Sequence, residues 1–133
     1  MTNDPICNPS PLGPHAFDSW ESRIAAQNDA FRKALGACEW QGQELHGRLF
    51  VGRRIRARSG DFKAAVLFRV QIYEFPADTS PLDMRSAGTI ETTIEGERLR
   101  VLWKIDVRNR HDLNRSCDPS YPAECTRTLD VWM

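Results

Sequence analysis

No stretch of this chain approaches the roughly 18 consecutive apolar residues that a membrane-crossing helix requires. Its start, Met1-Thr2-Asn3-Asp4-Pro5, is polar and acidic and lacks the character of a secretory signal. The expectation is a soluble, cytoplasmic protein with no membrane partner. Net charge is missing too: 18 basic and 18 acidic side chains cancel, which removes any global electrostatic case for nucleic acid or a membrane surface. There is no Gly-rich phosphate loop, no nucleophile elbow and no His-Glu-x-x-His run, and so none of the short signatures of nucleotide binding, serine hydrolysis or zinc proteolysis. No internal repeat or low-complexity tract occurs. A chain of 133 residues fits one domain that buries about two thirds of its unfolded surface, so size alone calls for no metal or disulfide staple.

What is present is regular patterning between punctuated ends. Pro5, Pro9, Pro11, Gly13 and Pro14 make residues 1–17 an arm without helix or central strand. From Asp18, which has capping-box spacing to Glu21, the residues Trp20, Ile24, Gln27, Phe31 and Leu35 step by three or four, predicting a helix over 18–35 closed by Gly36. Alternation of Leu45, Gly47, Leu49 and Val51 with more polar neighbours predicts a strand near 43–51. Over 60–75 two periods compete. Val66, Phe68, Val70 and Ile72 alternate as in a strand, while Ser59 ahead of Phe62, Ala65, Val66, Val70 and Tyr73 suits a capped helix.

The plainest pattern is the pair of runs Thr89–Ile94 and Arg98–Asp106 around Glu95-Gly96-Glu97. It predicts a hairpin with Leu99, Val101, Trp103 and Ile105 on a buried face and Arg98, Arg100, Lys104 and Asp106 on the other. Residues 76–88 and 109–122 read as loops, and Thr126–Met133 as a last strand.

Charge is balanced overall but not locally: residues 41–75 carry 7 basic and 3 acidic side chains. Arg48, Arg53, Arg54, Arg56, Arg58 and Lys63 form the strongest candidate binding segment. If the segment is extended, Arg54, Arg56 and Arg58 share one face, spaced to meet phosphates or carboxylates; the competing reading is a solvated edge strand guarded by charge. The four cysteines, Cys7, Cys38, Cys117 and Cys125, are expected free in a reducing cytosol. His111, Cys117 and Cys125, with Cys7 or His15 as a distant fourth, match no zinc spacing, and a His111–Cys117 nucleophile has no supporting motif. Asp83, Glu91, Glu95, Glu97 and Asp106 read as solvated face and turn. No catalytic, cofactor or metal site is assigned.

Three segments carry a resemblance. Arg23–Arg32, Gly96–Asp106 with its Trp103-Lys104-Ile105-Asp106, and the closing Asp118-Pro119, Pro122-Ala123, Thr126-Arg127 and Leu129 resemble a bacterial family known as domain of unknown function 3768. The family occurs in proteobacteria, often on plasmids and other mobile elements. The resemblance implies a helix over 60–75, and it implies a mobile-element setting but no reaction. Family members carry a histidine in the loop before the hairpin, whereas Leu82–Gly88 here has none.

The expectation is therefore one α+β domain over 18–133: a small antiparallel sheet of three or four strands, with the hairpin 89–106 at its centre, packed against the N-terminal helix and a second helix. For function, the expectation is a small non-enzymatic binding protein recognising a host or defence macromolecule, an anti-defence protein being one form. The alternative is a nucleic-acid-binding accessory protein using residues 48–63.

Overall fold

The structure is a computed structural model that describes residues 19–133. The expected arm 1–17 and the Asp18 cap lie outside the described residues. Helix α1 spans Trp20–Ala34, and Ser19 caps it, its Oγ accepting the Ser22 N–H at 3.1 Å. At the other end the left-handed turn falls on Leu35 (φ 59°), one residue ahead of the expected Gly36. Gly36 follows at φ 140°, and its N–H closes on the Phe31 carbonyl at 3.1 Å.

The strands are β1 (Cys38–Trp40), β2 (Gln43–Val51), β3 (Ala87–Ile94), β4 (Glu97–Asn109) and β5 (Cys125–Trp132). They form one sheet in the order β1-β2-β5-β4-β3, with β2 and β5 parallel and every other pair antiparallel. The α+β class is as expected, but the sheet is mixed and five-stranded rather than antiparallel with three or four strands. Two facts explain the difference. β1 is three residues long, too short to show a period. β5, last in sequence, inserts between β2 and β4, a non-local choice that its own residues do not announce. The hairpin forms as expected but lies at one edge of the sheet rather than at its centre, which β5 occupies: Glu95 and Gly96 both take positive φ, 52° and 80°, the type I′ geometry whose twist matches the flanking strands.

Between β2 and β3 lie α2 (Arg53–Arg56) and α3 (Gly60–Gln71). The extended Arg54–Arg58 segment is thereby corrected. The N–H groups of Ile55 and Arg56 turn back onto the Gly52 carbonyl at 3.1 and 3.0 Å, and the turn buries Ile55 completely while Arg53, Arg54 and Arg56 stay in solvent. Hydrophobic burial of one isoleucine decides the local conformation. In α3 the helical period prevails: the Ser59 hydroxyl accepts the Phe62 N–H at 3.1 Å, and Phe62, Val66 and Val70 are buried. Phe68 and Ile72, which the strand reading would have put inside with Val66 and Val70, are exposed.

Helices α1 and α3, with Ile55, cover one face of the sheet. Beneath them lie Leu45, Val101, Trp103, Ile105, Leu129 and Val131, all buried. Trp103 is enclosed by Tyr73 and Phe75, ring centres 5.5 and 5.9 Å away in edge-on contact. Gly88 permits this closeness, and Gly47 permits the seating of β5 and Phe31 against β2. A Cβ at Gly88 would stand 2.5 Å from the Trp103 indole nitrogen, and one at Gly47 would stand 2.0 Å from the Arg127 carbonyl oxygen. Among the described residues no helix is long and apolar enough to cross a membrane.

Candidate recognition surface

Strand alternation that points Leu45, Trp103 and Leu129 inward turns the residues between them to the other face, which none of the described helices covers. At its centre, Phe50 pairs with Asp130 across β2 and β5, Asp130 with Lys104 across β5 and β4, and Trp132 with Leu102. Phe50, Trp132 and Leu102 therefore lie on neighbouring strands on one side. Phe50 is 45% exposed and Trp132 36%. With Gly52, Lys104 and Asp130 the two rings line a shallow depression of about 410 Å³.

Charges of both signs surround this apolar centre. The Arg48 guanidinium lies over the Phe50 ring at 4.8 Å, a cation–π contact. Lys104 pairs with Asp106 at 3.5 Å and Arg100 with Glu91 at 3.9 Å. His46 stands between Glu44, 3.4 Å away, and the Arg110 guanidinium in close contact. Exposed pairs of this kind contribute about 0–1 kcal/mol each, so they re-pair readily with an incoming surface.

The six basic residues singled out in the sequence are not brought together. Arg48 joins the open sheet face. Arg53, Arg54 and Arg56 project from α2 and pair with none of the described carboxylates. Arg58 is a clamp: its guanidinium sits 3.8 Å from the Phe62 ring centre and bonds Glu97 at 3.0 Å. Lys63 is half-buried on α3. The cations that do share an extended face are Arg98, Arg100, Lys104 and Arg108 on β4. Their alternation with Leu99, Val101, Trp103 and Val107 was the available signal, and it reads first as a solvated side.

Sequence reasoning missed the polar cluster on the covered face. Arg127 takes an inward position on β5 and is 1% exposed. Its Nε donates to Asn28 Oδ1 at 2.9 Å, and its Nη2 to Gln27 Oε1 at 2.8 Å and to the Pro119 carbonyl at 3.0 Å. Gln27 Nε2 in turn donates to the Ser120 carbonyl at 2.9 Å. No carboxylate is among these partners, and burial brings the Arg127 pKa down to about 10. Nothing in the one-face pattern of α1 distinguishes Gln27 from an apolar position, or identifies its partner a hundred residues away.

Of the sulfur and histidine candidates, Cys117 and Cys125 do meet, Sγ to Sγ at 2.9 Å, while Cys125 donates to the Asp118 carbonyl at 3.0 Å. Burial, and then the Cys117 contact, push the Cys125 thiol up to about 12. Cys38, also raised by burial, is a third free thiol. His111 is exposed, and its backbone N–H donates to Asn109 Oδ1. Among the described residues neither Cys117 nor Cys125 has a histidine partner, and no three His, Cys, Asp or Glu side chains are grouped to hold a metal ion. Cys7 and His15 lie outside the described residues. Of the acidic set, Glu91, Glu97 and Asp106 pair with basic neighbours.

Asp118 holds the segment between the two cysteines. Its Oδ1 accepts the Ser120 N–H at 3.0 Å, the Trp20 indole N–H at 2.8 Å and the Ser120 hydroxyl at 2.7 Å. These donors, the backbone N–H first, hold its carboxyl below the usual range. No protein-family model matches this chain, and no curated protein or solved structure is detectably similar to it.

Proposed function

We propose that the protein is a small non-enzymatic recognition module that binds a protein partner through the open face of its sheet. The observation that carries the reading is the exposed pair Phe50 and Trp132, with half-buried Leu102 opposite Trp132, ringed by Arg48, Lys104, Asp106 and Asp130. An apolar centre with a polar rim is the anatomy of a protein interface, and tryptophan and arginine are its commonest anchors. A rim of both signs complements another folded surface better than it complements a polyanion. The resemblance drawn from the sequence makes the partner a host or defence protein met by a mobile element; that part of the proposal rests on the resemblance alone.

A second reading, a nucleic-acid-binding accessory protein, draws on Arg53, Arg54 and Arg56, three exposed guanidinium groups in one helical turn at the end of β2. One experiment separates the two. A photo-crosslinking side chain at Phe50, with Leu113 as the exposed control position, captures the partner in cells; the purified pair is then titrated. Trp132→Ala should weaken binding at least about 30-fold, as an aromatic anchor does, with little dependence on salt. If Trp132→Ala binds normally, while Arg53→Glu with Arg54→Glu abolishes a steeply salt-dependent affinity for a single-stranded oligonucleotide, the nucleic-acid reading replaces this one.

A further inference from the structure

We propose that Cys117 and Cys125 are a site of reversible disulfide formation that takes a low-molecular-weight disulfide, such as oxidised glutathione, as its oxidant. The two sulfurs stand 2.9 Å apart, inside ordinary van der Waals contact and within about 1 Å of the covalent distance. Both side chains already point at each other, so closure requires little backbone movement. Their surroundings are built rather than incidental. The segment between them is pinned at Asp118 through Trp20 and Ser120, at Pro119 through Arg127 and at Ser120 through Gln27.

Exposure assigns the order of events. Cys117 is half-buried and Cys125 is 1% exposed, so the bulky oxidant reaches Cys117. The Cys117 thiolate attacks one sulfur of the disulfide; a Cys117–glutathione bond forms and the first glutathione leaves as thiolate. Cys125 then attacks Cys117 Sγ, giving up its proton from the hydrogen bond to the Asp118 carbonyl. The second glutathione leaves and takes up that proton. Two protein thiols are oxidised by two electrons, and one disulfide is reduced to two thiols.

The buried Cys125 thiol is held protonated, which makes the second step slow. The positive charge of Arg127, which opposes this effect of burial at both Cys38 and Cys125, favours a transient thiolate. The closed form staples residues 117–125 over Arg127.

In the test, the full chain is equilibrated anaerobically with mixtures of reduced and oxidised glutathione, quenched in acid, and mapped by mass spectrometry. The expected product is one Cys117–Cys125 cross-link with loss of two hydrogens, Cys38 remaining a thiol. Its equilibrium constant should be about 80-fold larger in buffer than in concentrated urea, the loop-closure advantage of a segment of this length when it closes without strain. Cys125→Ser should stop at a glutathione adduct on Cys117. If that variant does not fold, the comparison of the wild-type chain in buffer and urea still decides. Equal constants in the two media, or a cross-link to Cys38 or Cys7 instead, would overturn the proposal.

Discussion

Replacing Trp103 probes the core where its geometry is most specific. Trp103 is 1% exposed, touches Tyr73 and Phe75 edge-on, and has the Arg32 guanidinium 5.3 Å from its ring centre. A buried aromatic removes about 150–250 Å² from water, worth roughly 4–6 kcal/mol at 25 cal/mol per Å² as an upper figure. One contribution opposes this. The Trp103 indole nitrogen is the one buried side-chain nitrogen or oxygen among the described residues with no hydrogen-bond partner, and an orphan donor costs about 1–3 kcal/mol. Trp103→Ala loses the area, the ring contacts and the cation–π contact but relieves the orphan, so its expected cost is about 3 kcal/mol. Trp103→Phe keeps one ring and also relieves the orphan, so its expected cost is about 1.5 kcal/mol or less. Urea unfolding followed by far-ultraviolet circular dichroism measures both. Equal losses for the two variants would refute the contribution of the ring contacts that Phe keeps, and a Trp103→Phe loss as large as about 3 kcal/mol would refute the role of the unpaired nitrogen. A Trp103→Ala midpoint indistinguishable from wild type would refute the placement of Trp103 in the core.

Arg127→Met should cost about 2–4 kcal/mol, because Asn28 Oδ1, Gln27 Oε1 and the Pro119 carbonyl each lose a donor in a buried setting; differential scanning calorimetry reads it, and a neutral result would mean that the cluster relaxes onto water. Asp118 links stability to pH. Its folded pKa lies below its unfolded value, so its contribution is complete above the unfolded value of about 3.9 and disappears as pH falls through the folded one. The wild-type melting temperature should therefore fall more steeply than that of Asp118→Asn as pH is lowered below about 4. Parallel curves would show that the Trp20 and Ser120 contacts contribute nothing.

By itself the sequence determined the elements whose residues carry their own period and punctuation. The helix over 18–35 follows from apolar residues that recur every three or four positions, although its caps, Ser19 and Leu35, are not the Asp18 and Gly36 that the sequence suggests; Glu95-Gly96 demands a tight turn; Leu99, Val101, Trp103 and Ile105 select the buried face of β4. These are local properties, fixed by backbone sterics and by which side of a strand or helix a residue occupies. Only the tertiary structure decided the rest. The parallel seating of β5 beside β2 depends on pairing residues some eighty positions apart. The turn at Arg53–Arg56 depends on a pocket for Ile55 formed by distant elements. The same holds for both sites proposed here. Phe50 and Trp132 become neighbours only when β2 and β5 pair, and Cys117 meets Cys125 only because Asp118, Pro119 and Ser120 are tied to α1 and Arg127. Alternation shows that a charged side chain faces away from the core, but which strand lies beside it, and therefore what surface it joins, is set by packing across the whole chain.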